Sequence, residues 1–92
     1  MQTFYFFIYN KGNEKSLVYK NLKDCLSDGI DEFNLNKKEV VLYSFDIDDD
    51  TYKSSDYYIE DIKDITPLDD CEHILTINKD TYHNAVLILD YV

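Results

Sequence analysis

Apolar and polar positions along the 92 residues change period several times, and each period predicts a different element. From Thr3 to Asn10 the chain is packed with Phe, Tyr and Ile, residues that suit a pleated surface, and Lys11-Gly12-Asn13 closes this strand as a turn. Ser16–Lys20 is short and β-leaning, so the first twenty residues read as a hairpin. Asn21 can then cap a helix, because Leu22, Cys25, Leu26, Ile30 and Phe33 follow at spacings of 3, 1, 4 and 3, one apolar stripe of a 3.6-residue period. Gly29 weakens that helix near its end, and the polar run Asn34–Lys38 terminates it. Glu39–Ile47 alternates as a third strand, with Val41, Tyr43 and Phe45 on one face and Val40, Leu42 and Ser44 on the other.

Beyond this strand the pattern weakens. Ile59, Ile62 and Ile65 recur every three residues behind Tyr57-Tyr58, which predicts a short helix ended by Thr66-Pro67. Cys71–Ile77 reads as another strand. Tyr82, Ala85, Val86, Leu89 and Val92 fall on one helical face behind Asp80 or Thr81 as cap, which favours a closing helix through Val92 over a hairpin strand. The predicted order is β-β-α-β-(α)-β-α. The expected fold is an α+β domain, a small, mostly antiparallel sheet of four to five strands packed against one or two helices, with residues 1–92 forming one compact unit.

Charge changes this picture more than any motif. The chain has 9 Lys and no Arg against 19 Asp+Glu, a net charge of −10. Asp46–Glu72 alone holds eleven acids (Asp46, Asp48, Asp49, Asp50, Asp56, Glu60, Asp61, Asp64, Asp69, Asp70, Glu72) against Lys53 and Lys63. That segment carries −9, which leaves −1 for the other 65 residues. Direct binding to nucleic acid is excluded on this balance, since lysines and arginines must neutralise phosphates, and docking on an anionic membrane is disfavoured for the same reason. The abundance of Lys, Ile, Tyr and Asn and the scarcity of Ala, Pro, Gly and Arg fit an AT-rich genome, but base composition does not choose Asp over Lys.

Candidate chemistry is sparse. Asp46, Asp48 and Asp50 stand at positions one, three and five of a calcium loop, but Thr51 and Tyr57 occupy the positions that want glycine and glutamate. A solvated acidic connection is the better reading. Cys25 and Cys71 lack CxxC spacing and read as two free thiols rather than a disulfide. Cys71 and His73 can share one face of a strand, but acidic surroundings raise a thiol pKa and disfavour a thiolate nucleophile. His73 and His83 have no partner at a recognisable motif spacing, and no glycine-rich phosphate cradle exists, so the expectation is a protein that is not an enzyme and needs no cofactor. The N-terminal apolar run has neither a basic region before it nor a cleavage site after it, and a cytoplasmic chain is expected.

What remains is carboxylates interleaved with tyrosines. Tyr52, Tyr57 and Tyr58 lie among Asp46, Asp48, Asp49, Asp50, Asp56, Glu60, Asp61 and Asp64, and these eleven residues are the candidate partner-binding set. Tyrosine supplies rigid amphipathic contact area, and clustered carboxylates steer a basic partner. An acidic surface can also serve solubility alone, but −10 exceeds what a small domain needs for that, and a solubility surface would scatter its charges. In size and composition the chain resembles phage-encoded DNA-mimic proteins, such as anti-CRISPR and anti-restriction proteins, and is similar in the same sense to acidic immunity proteins that neutralise nuclease toxins. The resemblance implies an inhibitor of a basic nucleic-acid-binding protein or nuclease. A calcium-binding or regulatory module is the remaining alternative.

Overall fold

The computed structural model describes residues 2–47 and 71–92. Strands β1 (Gln2–Tyr9), β2 (Glu14–Lys15), β3 (Val40–Ile47) and β4 (Glu72–Ile77) form one antiparallel sheet in the order β2-β1-β3-β4. Helices α1 (Leu22–Asn36) and α2 (Tyr82–Leu89) complete an α+β arrangement, as the periodicities predict. The helix expected around Ile59–Ile65 lies outside the described residues.

The alternation along β1 explains the layering. Tyr5, Phe7 and Tyr9 face one side, where Phe7 joins Cys25, Leu26, Ile30 and Phe33 of α1 with Val40, Leu42, Ile77 and Ala85 in the larger core. Phe4, Phe6 and Ile8 face the other side and cluster with Phe45 and Val18. Register places Phe4 opposite Phe45 and Phe6 opposite Tyr43. Their ring centroids lie 5.8 and 5.7 Å apart, within the range where aromatic pairs add about 0.5–1.5 kcal/mol beyond burial.

Asn21 caps α1 as its sequence position predicts, its Oδ1 accepting the Asp24 N–H at 2.9 Å. Lys37 stops the helix in the left-handed region (φ 59°), its N–H donating to the Phe33 carbonyl at 2.7 Å. Gly29 is not a weak point here. A Cβ built at that position would come within 3.3 Å of Leu42 Cδ1, so glycine lets the helix approach the sheet closely.

Three element boundaries differ from expectation, the first being the end of α1, which runs through Asn34 and Leu35 to Asn36 before Lys37 stops it. The regular part of β2 is Glu14–Lys15 rather than Ser16–Lys20, because the Ser16 hydroxyl accepts the Phe7 N–H at 2.9 Å and donates to the Leu17 carbonyl at 2.7 Å. The Ser16 N–H still donates to the Phe7 carbonyl at 2.8 Å, but the side chain takes the place of the carbonyl that would accept the return bond, and the next bridge is Tyr5–Tyr19. The closing helix stops at Leu89 rather than Val92: the Asp90 and Tyr91 N–H groups donate to Leu87 and Ile88, three residues back, which tightens the last turn. At its other end Thr81 does not cap with its side chain. Its hydroxyl instead donates to the Thr76 carbonyl at 2.7 Å, while Asn78 Oδ1 accepts from the Asp80 and Thr81 N–H groups at 2.9 and 3.0 Å.

Candidate partner-binding face

Of the candidate contact residues, Asp46 is described. It is exposed near the end of β3, opposite Thr3, whose hydroxyl donates to Asp46 Oδ1 at 2.5 Å. Asp48, Asp49, Asp50, Tyr52, Asp56, Tyr57, Tyr58, Glu60, Asp61 and Asp64 lie outside the described residues. The anchors of their segment are fixed, however. β3 hands the chain on after Ile47 and β4 takes it back at Glu72, which pairs with Ser44, so both anchors stand at the Gln2 end of the sheet.

The opposite end of the sheet is different in charge. There the β1–β2 turn, the start of β3 and the end of β4 carry Lys11, Lys15, Lys37, Lys38 and Lys79, five of the nine lysines, beside Glu14, Glu39 and Asp80, so this end is close to neutral. Asn10, Lys11 and Gly12 build that turn in left-handed conformations (φ 55°, 58° and 84°), and the Asn13 N–H donates to the Asn10 carbonyl at 3.1 Å. Lys38 Nζ donates to Asn10 Oδ1 at 3.3 Å and helps close a pocket of about 150 Å³ that Glu14 and Glu32 also line. A more open groove runs over Ile8, Val41 and Tyr43, with Lys11 and Lys38 at its rim. The lysines thus gather at one end, and the acid-rich segment is attached at the other.

Sequence reasoning missed a second acidic element. Asp24, Asp28 and Asp31 are exposed on α1 at i, i+4 and i+7, a single outer stripe with steps of about 6 and 4.5 Å along the axis. The same heptad-like spacing was visible in the sequence, on the face opposite the apolar stripe. Asp28 Oδ2 accepts the Tyr19 hydroxyl at 2.7 Å. Burial pushes the Tyr19 pKa well above its ordinary 10.0, with that hydrogen bond and the Asp28 charge adding to the shift.

No disulfide joins Cys25 and Cys71, and burial, with Asp28 second, pushes the Cys25 thiol up to about 12, the reverse of nucleophile activation. Cys71 packs against the Phe4–Phe45 cluster, and the exposed His73 ring stands edge-on to Tyr43 at 5.9 Å. His73 Nε2 lies 2.9 Å from Thr76 Oγ1. Among the described residues no group of three or more His, Cys, Asp or Glu side chains is placed to hold a metal ion, and no helix is long and apolar enough to cross a membrane. No protein-family model, curated protein or solved structure matches this chain.

Proposed function

We propose that this chain is a small inhibitor that binds a basic, nucleic-acid-handling protein through the acidic segment Asp46–Glu72. The observation that carries this reading is the net charge of −9 within 27 residues that also hold Tyr52, Tyr57 and Tyr58. Duplex DNA carries one charge per ~1.7 Å of axis, so a carboxylate-dense segment competes for a protein groove shaped to phosphates. The mechanism is occupancy: carboxylates steer the encounter, tyrosines hold the complex, and the groove is closed to DNA or RNA. The lysines at the far end of the sheet support the reading, because a molecule with separated charge turns its acidic end toward a basic target. The outer stripe of α1, Asp24-Asp28-Asp31, adds carboxylates of fixed spacing to the same interaction.

The test is a pull-down from the native host, identification of the bound protein, and competition with DNA or RNA on the isolated pair. Mutual exclusion is the expected result. Simultaneous binding of protein and nucleic acid to the target, with no mutual weakening, refutes mimicry and leaves the acidic segment as a solvated surface or as the contact to a region remote from nucleic acid.

A further inference from the structure

We propose that the outer edge of β4, together with the exposed flank of α2, is the interface of a two-fold homodimer; this does not depend on the inhibitor reading. β4 is the last strand of the sheet, and among the described residues only β3 pairs with it. Natural edge strands are guarded by lysine, proline or inward charges, and His73–Ile77 has none of these. Its one protective feature is the register shift between the Leu42–Leu75 and Tyr43–His73 pairs, which leaves Leu75–Ile77 in regular pairing.

The edge does not stand alone. A groove of about 260 Å³ runs between β4 and α2, lined on the strand side by His73, Leu75 and Thr76 and on the helix side by Asn84, Ala85 and Ile88. Ile88, which lines this groove, is 39% exposed, a large apolar side chain beside the strand edge. A strand added to β4 would bring its own α2 alongside and cover both.

Charge selects the occupant. The chain as a whole is at −10, yet residues 73–92 hold only Asp80 and Asp90 against Lys79. A basic partner gains nothing from such a surface, whereas a second copy, repelled where the Asp46–Glu72 charge is carried, meets little repulsion here. An isologous contact must be complementary to itself, and antiparallel pairing of β4 with its own copy supplies this: the Glu72 end of one strand meets the Lys79 end of the other. The product is an eight-stranded antiparallel sheet with two α2 helices side by side.

Sedimentation equilibrium of the full chain from about 1 µM to about 1 mM tests this. The mass is expected to rise from 10.9 kDa toward twice that value. Ile88→Asp is expected to weaken the dimer at least about tenfold, while Leu35→Asp, at a fully solvated position outside the groove, leaves it unchanged. Amide hydrogen exchange of the unmutated chain supplies a readout that needs no variant: the β4 amides should slow as concentration rises. A mass of 10.9 kDa throughout overturns the proposal and leaves the edge to a strand of another protein or to water. A dimer whose β4 amides exchange at the monomer rate overturns it as well, by putting the interface elsewhere.

Discussion

Gly29 is held by contact rather than by backbone conformation. Leu42, Ile77 and Val40, the three side chains nearest to an added Cβ (3.3–3.5 Å), are all fully buried and have little room to yield. Gly29→Ala gains about 1 kcal/mol of helix propensity and incurs about 1–3 kcal/mol of overpacking, so the expected outcome is a net loss of up to about 2 kcal/mol in denaturant unfolding. A gain would mean that Leu42 gives way. Cys25 sets a pH limit by its burial. Its folded pKa, about 12, lies above the ordinary 9.0, so its contribution to stability is complete below pH 9 and is lost as pH rises from 9 through 12. Tyr19 acts in the same direction above pH 10. Denaturant midpoints across this range should fall steeply for the parent and less steeply for Cys25→Ala, whatever the variant's starting stability.

At the scale of elements, α1 is the part of the fold most completely written in local sequence. Of the predicted stripe, Cys25, Leu26, Ile30 and Phe33 are buried and Leu22, in the first turn, is half-buried against the core, with Asn21 as cap. Leu26→Ala and Phe33→Ala should each cost about 2–5 kcal/mol in equilibrium unfolding, and Asn21→Ala about 0.5–2 kcal/mol. Unchanged midpoints for the two core variants would mean the stripe does not pack as described. The faces of β3 are legible for the same reason, since Val40 and Leu42 go to the helices and Tyr43 and Phe45 to the other side. The early end of β2 is not legible, because it depends on where the Ser16 hydroxyl finds a backbone partner nine residues away. Nor is the role of Gly29, which only the approach of β3 and β4 reveals. For the candidate site, sequence identifies the charge and its concentration; of the proposed contact residues, Asp46 alone has a described position, while the Asp24-Asp28-Asp31 stripe is legible from its spacing opposite the apolar stripe of α1.

Across the whole molecule the separated charge makes a kinetic prediction. Converting Asp48, Asp49 and Asp50 together to Asn should slow association with the captured target and flatten its salt dependence, because steered encounter rates fall steeply with ionic strength. Tyr57→Ala and Tyr58→Ala should act mainly by speeding dissociation, as expected of aromatic anchors. Surface plasmon resonance at several salt concentrations separates the two effects. Equal loss of association rate in all variants would mean that steering and anchoring are not divided between carboxylates and tyrosines.

The burial of β1 on both faces has a consequence during synthesis. Thr3–Tyr9, an uncharged run of five aromatics with one threonine and one isoleucine, is made well before its central partner β3, which begins 31 residues after Tyr9. At ribosomal rates of ~5–20 residues per second the segment waits about 2–6 s before Val40 exists to pair with it. Through that interval it has the properties of an amyloid-forming heptamer: strong β preference, no charge and no proline. Newly made chains are therefore most vulnerable to association with one another before β3 emerges, and slow translation of residues 10–40 should lower the soluble yield of a protein whose finished fold buries this strand on both faces.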